Sequence, residues 1–299
     1  MYRHFFNIVK WKALLYLVFI QFLFKIFFLS GYGFNTRLSF SNLLLLSITT
    51  VTLLASGSLT NYFVRKKNTK KYTFSPLVAR NLAVFLGVVA IVFSFLLAFC
   101  IEKPYYGFIG VVNLMIITIY SVYVVKKTIF TNIINSFIKA FSVLIVWWCD
   151  VPIKLTESQW DLFFKLQLIT IFYISLSFIG SIIRDTVQDI VNINQDYIRK
   201  HQTIPILLGR KRTKAMLLMI SIITSIIVLG FAISFVESKF ILLTILFLGV
   251  FPELYFIYYL MIAASDKDYK LLFKRINMVY ALGIISIPII AYYFKYVIQ

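Results

Sequence analysis

Residues 161–209 read DLFFKLQLITIFYISLSFIGSIIRDTVQDIVNINQDYIRKHQTIPILLG, and the change of character at Arg184 decides what kind of molecule this is. The part before Arg184 is apolar and long enough to cross the hydrocarbon core of a bilayer. The part after it gathers three of the chain's eleven acidic residues, Asp185, Asp189 and Asp196. On a helix these fall at i, i+4 and i+11, with Asn192 at i+7. The helical period places all four oxygen-bearing side chains on one face. Grouped carboxylates are hard donors, suited to Mg²⁺ carrying a substrate phosphate. A solvated helix whose acids balance neighbouring bases would show the same spacing, so the pattern alone leaves both readings open.

Outward from this stretch, the same kind of apolar run recurs. The chain of 299 residues is 61% hydrophobic, with a mean hydropathy of +0.90. That is far more apolar than an ordinary globular domain. Nine spans are expected, near 11–30, 40–62, 80–101, 107–125, 130–150, 161–183, 214–235, 239–262 and 275–297. The fold class is therefore all-α: a polytopic membrane helical bundle, with residues 1–299 forming one transmembrane domain. Sustained Leu, Ile and Phe runs without alternation exclude a lipid-facing β-barrel. No cleavable signal peptide is expected, because the run after Trp11 is span-length and lacks a small-residue cleavage site.

Between the spans, 21 Lys and Arg residues fall on the side of the N-terminus and 5 on the other. By the positive-inside rule the N-terminus and the heavily charged loops are cytoplasmic and the C-terminus lies outside. In a bacterial cell the membrane would be the plasma (inner) membrane. The net charge of +19 then reflects orientation and contact with anionic membrane lipids, not nucleic acid. Cys100 and Cys149 lack metal-ligand spacing and read as small buried residues, with no support for a disulfide.

Four charges stand within or at the edge of spans: Lys25, Lys139, Lys165 and Glu253. Intramembrane charge is expensive and marks a functional candidate. Lys25 and Lys165 also fit snorkelling from near a span end. Glu253 follows Pro252 near the middle of its span, where a hydrogen-bonded protonated acid is the alternative to a functional role. The second–third connection, ASGSLTNYFVRKKNTKKYTFSP over 55–76, combines small residues that permit close helix approach with a basic run. Asn61 and Arg65, one turn apart, with Lys66 and Lys67, suit a phosphorylated substrate. The same run also reads as a topogenic juxtamembrane cluster.

The segment from Arg184 to Arg210 resembles the second aspartate-rich motif of the UbiA superfamily of intramembrane prenyltransferases, approximately R-E-I-x-K-D-x-E-D-x-x-G-D followed by T-L-P-x-x-x-G. Arg184, Asp189, Asp196, Thr203, Pro205, Leu208 and Gly209 match without a gap. Asp185 takes the place of the Glu, and Asn192 stands at the middle Asp. IVKWKALLYL (8–17), YSVYVVKKTIFTN (120–132) and FPELYF (251–256) are similar to other family stretches, and nine spans is the family's architecture. The first aspartate motif departs: anchored on Gly57 and Asn61, the three acidic positions hold Tyr62, Arg65 and Thr69.

The resemblance implies an enzyme that transfers an isoprenyl group from a prenyl diphosphate to a lipid-like acceptor, with Mg²⁺ between the two motifs. It implies catalytic roles for Asp189 and Asp196, metal ligation by Asp185, Asp189, Asn192 and Asp196, and diphosphate binding by Asn61, Arg65, Lys66, Lys67, Asn132 and Lys200. With the first-motif acids missing, one metal could remain at the second motif while Arg65 and Lys66 or Lys67 meet the diphosphate directly. Asn132 also reads as an ordinary helix cap, and His201 as a solvent-facing loop residue. Two alternatives stay open: a catalytically inactive relative that binds prenyl or phospholipid phosphate or a membrane partner, and, more remotely, a transporter. Against the transporter, no repeated halves are visible, and Gly and Pro number only 11 and 6.

Overall fold

The computed structural model of the protein describes residues 2–32, 34–66, 74–123, 130–150, 152–198, 200–235 and 238–296. Among the described residues nine helices are long and apolar enough to cross a membrane. The chain is an integral multi-pass membrane protein. The helices are α1 (Tyr2–Val9), α2 (Trp11–Phe24), α3 (Phe40–Lys66), α4 (Pro76–Cys100), α5 (Gly107–Tyr123), α6 (Phe130–Cys149), α7 (Glu157–Val191), α8 (Ile193–Ile198), α9 (Ile204–Leu208), α10 (Arg210–Ile233), α11 (Lys239–Ile245), α12 (Phe251–Ile262) and α13 (Asp266–Tyr296). π-helical turns at Lys25–Leu29 and Leu246–Val250 extend α2 and join α11 to α12. Among the described residues β-pairing is limited to one antiparallel bridge, Thr36 to Pro152.

The chain packs as two compact units. The first comprises Met1–Lys25, Phe34–Lys126 and Ser142–Thr156. Its packing rests on small residues. α4 presents Ala79, Ala83, Gly87, Ala90 and Ser94 as a buried stripe, and α3 contributes Ala55, Ser56 and Gly57. Such stripes let backbones approach where lipid supplies no hydrophobic drive. The Ser56 hydroxyl donates to the Ala83 carbonyl at 2.8 Å, and Ser121 on α5 donates to the Gly57 carbonyl at 3.0 Å. A methyl group on Gly110 would collide with Ser94, and one on Gly57 with Ile117.

Lys25 does not snorkel. It is buried and pairs with Asp150 at 2.6 Å, and it also donates to the Thr36 hydroxyl at 2.7 Å. The other Asp150 oxygen accepts from the Leu38 backbone N–H at 3.3 Å. The bland expectation fails because a carboxylate lay within reach, which satisfies the ammonium at lower cost than stretching to the interface. Nearby, Gln21 is fully buried and bonds to Thr50, Ser47 and the Ser142 carbonyl. Cys100 is exposed, contrary to the expectation of burial, while Cys149 is buried, and both thiols are free.

The second unit comprises Ile26–Gly33, Lys127–Phe141 and Glu157–Gln299. Ile183, Val187 and Ile190 of α7 pack with Leu217 of α10, Phe256 and Leu260 of α12, and Leu272 and Ile276 of α13. Lys214 reaches from α10 to the last carbonyls of α12, Met261 at 2.7 Å and Ala263 at 2.8 Å, where a cation complements the helix dipole. Ser265 and Asp268 exchange side-chain-to-backbone bonds at the start of α13, a capping box. The Tyr32 hydroxyl donates to the Ala291 carbonyl at 2.7 Å, and burial raises its phenol pKa. Lys165 is exposed and Glu253 is buried.

Candidate functional site

The sixth apolar run does not end its helix at residue 183. α7 continues to Val191, so Arg184, Asp185 and Asp189 ride on the same rigid element as the span. Asn192 interrupts the regular helix, and α8 begins at Ile193. The backbone bonds carry across the break: Asn192 N–H to Gln188 at 3.0 Å and Asp196 N–H to Asn192 at 2.9 Å. The acids therefore sit on two helical segments, α7 and α8, joined at Asn192. Asp189 and Asp196 are buried, while Asp185 and Asn192 are half-buried.

α6 supplies the facing donors. Asn132, Asn135 and Lys139 recur at i, i+3 and i+7, one side of a helix. Asp185 and Asp189 are one turn apart on α7, with Ser181 one turn earlier. The two rows interlock. Asn132 donates to Asp189 Oδ2 at 2.8 Å, with a weaker contact to the Thr186 hydroxyl at 3.4 Å. Asn135 donates to Asp185 Oδ2 at 2.6 Å, and Lys139 donates to the same oxygen at 2.7 Å and to the Ser181 hydroxyl at 3.1 Å. Arg184 lies 3.6 Å from the other Asp185 oxygen, too far for a hydrogen bond.

α8 ends by a left-handed residue. Lys200 has φ +56°. Its N–H returns to the Tyr197 carbonyl at 3.0 Å, and the N–H of His201 returns to the Asp196 carbonyl at 2.9 Å, the Schellman pattern. This turn carries the His201 ring back onto Asp196, with Nδ1 at 2.9 Å from Oδ1. His201 is thus not a solvent-facing loop residue: only 11% of its side chain is exposed. Gly209, at φ +79°, closes α9 and opens α10 in a conformation that a Cβ would strain.

The structure brings Asn132, Asp185, Asp189 and their partners together, and holds Asp196 with His201. Lys200 is exposed and Asn61 is half-buried on α3. Arg65 and Lys66 are residues of α3, but their side chains, like the whole of Lys67 and Thr69, lie outside the described residues. Tyr62, at one of the missing acidic positions, donates its hydroxyl to the Phe74 carbonyl at 2.9 Å and packs edge-on against the Phe74 ring. The sequence marks Lys139 as an intramembrane charge without a stated role, and Asn135 and His201 carry no site role in it. A polar i, i+3, i+7 row inside an apolar span was the available signal for the α6 residues; His201 carried none.

These contacts decide whether the residues suit Mg²⁺. Among the described residues no three His, Cys, Asp or Glu side chains gather closely enough to hold a metal ion. Asp185 already carries an ammonium, Asp189 an amide N–H, and Asp196 an imidazole nitrogen. Mg²⁺ demands a regular octahedron of oxygens at short range. The residues present do not fit a multi-carboxylate metal cluster. Two buried hydroxyls, Ser136 and Thr203, have no hydrogen-bond partner among the described residues, so each would accept a polar ligand or water.

With this geometry in view, comparison with known proteins shows that the model of the UbiA prenyltransferase family matches residues 18–279. No curated protein matches the chain. Two solved structures share its fold. One is of digeranylgeranylglyceryl phosphate synthase, at TM-score 0.69 and 13% identity, covering 97% of this chain and 98% of that one. The other is a UbiA homolog from Aeropyrum pernix K1, at TM-score 0.60 and 15% identity, covering 90% of this chain and 97% of that one.

Proposed function

Because the chain belongs to the UbiA prenyltransferase family, we propose that it transfers an isoprenyl group from a prenyl diphosphate to a lipid-like acceptor within the membrane. The observation that carries the reading is the pair of buried carboxylates, Asp189 and Asp196, each held by a side-chain partner, Asn132 and His201. Burying a carboxylate is costly unless it is paired. A chain that keeps two of them at the end of a span has a use for them.

In the proposed reaction the allylic C–O bond breaks and its electron pair leaves with the diphosphate. The acceptor then bonds to the allylic carbon and releases a proton. Asp189 and Asp196 stabilise the developing allylic cation and take the acceptor proton, oriented by Asn132 and His201. Lys200 supplies positive charge for the departing diphosphate. The charged loops lie on the cytoplasmic side.

Pyrophosphate release from farnesyl diphosphate by the purified protein, with Mg²⁺ supplied, is the test. Asp189→Asn and Asp196→Asn should each lower the rate by at least about a hundredfold. Release that survives both substitutions rejects the assignment. A second reading, a relative that binds prenyl or phospholipid phosphate without transferring it, is favoured by Tyr62, whose hydroxyl is committed to Phe74 where the family pattern has an acid. Saturable farnesyl diphosphate binding with no pyrophosphate release would select it.

A further inference from the structure

We propose that Lys139 is a resident counter-cation of the acidic end of α7, standing where a metal ion would otherwise neutralise the carboxylates, so that this part of the site takes a diphosphate without a divalent ion. The inference refines the transferase reading and rests on it only for the identity of the ligand.

Lys139 lies near the middle of α6, within the span Phe130–Cys149. An ammonium placed there is expensive and is retained only with a partner. Its partner is Asp185, at 2.7 Å, steadied by the Ser181 hydroxyl at 3.1 Å. Asn135 closes on the same carboxylate oxygen at 2.6 Å. The arrangement is built and not incidental: donors one and two turns apart on α6 meet acceptors one turn apart on α7, all the way to Asn132 and Asp189.

A lysine ammonium is a compact point charge, the closest protein equivalent of a small cation. With it in contact, a divalent ion approaching Asp185 loses one negative ligand and meets a positive charge within a few ångströms. Of the other acids of this stretch, Asp189 accepts from the neutral amide of Asn132 and Asp196 is engaged by His201. The same chain holds Tyr62, Arg65 and Thr69 where the family pattern has its other acids. The Lys139–Asp185 contact lowers the negative charge available to a metal and leaves a cation that can meet a phosphate oxygen directly.

Two measurements on the full-length protein in nanodiscs test this. In the first, Mn²⁺ alone is titrated and followed by electron paramagnetic resonance. The wild type and Asp185→Asn should bind it equally weakly, whereas Lys139→Gln, which frees the Asp185 carboxylate, should bind it about tenfold more tightly or better. Wild-type binding that Asp185→Asn abolishes would overturn the proposal, as would no gain in a folded Lys139→Gln. In the second, farnesyl diphosphate affinity is compared in EDTA and in Mg²⁺. A ratio within about twofold supports a metal-sparing site. A Mg²⁺ requirement above about tenfold that Asp185→Asn removes contradicts it. This arm needs no lysine variant, so poor folding of Lys139→Gln leaves the proposal exposed to test. If farnesyl diphosphate fails to bind under either condition while Mn²⁺ behaves as expected, the transferase reading falls and the counter-cation stands.

Discussion

Lys25→Met is the sharpest test of how the first unit is held. The substitution keeps an unbranched side chain one atom shorter and removes its charge. It strands the Asp150 carboxylate, 1% exposed, with the Leu38 N–H at 3.3 Å as its remaining partner among the described residues, and it also removes the 2.7 Å bond to Thr36. Breaking a buried pair from one side costs about 3–5 kcal/mol, because an uncompensated charge remains. Replacing both partners, Lys25→Met with Asp150→Leu, removes that charge and leaves mainly the lost bonds to Leu38 and Thr36, about 1 kcal/mol each. The double variant should therefore recover at least about 1–2 kcal/mol relative to Lys25→Met alone, the signature of a coupled pair in a double-mutant cycle. Equilibrium unfolding in mixed detergent and SDS micelles gives the four free energies. A single-variant cost below about 1 kcal/mol, or a cycle that closes additively, would show that the pair is solvated and that its burial is misjudged.

Three further outcomes follow from other parts of the chain. Gly110→Ala drives a methyl group into Ser94 and should cost about 1–3 kcal/mol, with Ser94→Gly restoring much of the loss in the same unfolding assay. Lys200→Gly relieves a side chain at φ +56° and should raise stability by about 0.5–1 kcal/mol. If the Lys200 ammonium contacts diphosphate, the same variant loses farnesyl diphosphate affinity, so a calorimetric titration separates its two roles. For orientation, single cysteines replace the exposed residues Lys154 and Lys211 in a background with Cys100→Ser and Cys149→Ser. A membrane-impermeant maleimide applied to intact cells should label the cysteine at 154 and not the one at 211; the reverse pattern inverts the topology.

The spans were legible because each is a continuous apolar run, and a bilayer leaves the backbone of such a run no option but a helix. Their ends were less so. The sixth helix outlasts its apolar run because a helix needs only its own backbone bonds to continue, and the polar residues from Arg184 to Val191 keep the same period. The interruption at Asn192 falls where a short polar side chain competes for backbone bonds. His201 escaped notice because its position depends on a left-handed residue at 200. Lysine is a poor occupant of that conformation, whereas glycine would have announced the turn. Nothing in the local sequence distinguishes such a turn from a loop.

The pairs Lys25–Asp150 and Lys139–Asp185 illustrate a different limit. Each lysine alone reads as a costly intramembrane charge, and cost demands a partner without naming one. The partners lie 125 and 46 residues away, distances that composition and periodicity do not span. For Lys139, however, half of the answer was present. Asn132, Asn135 and Lys139 share one face of an otherwise apolar helix, and donors aligned in hydrocarbon require aligned acceptors. The described acidic row at matching intervals is Asp185 and Asp189. The pairing was therefore deducible from two helical periods taken together, though from neither alone. The same reasoning makes Asn135 a discriminating position: Asn135→Leu removes a donor from Asp185 but leaves the Lys139 charge in place. It should lower stability by about 1–2 kcal/mol without admitting Mn²⁺, whereas Lys139→Gln should admit it. If the two substitutions proved equivalent in metal binding, hydrogen bonding and not charge would govern Asp185.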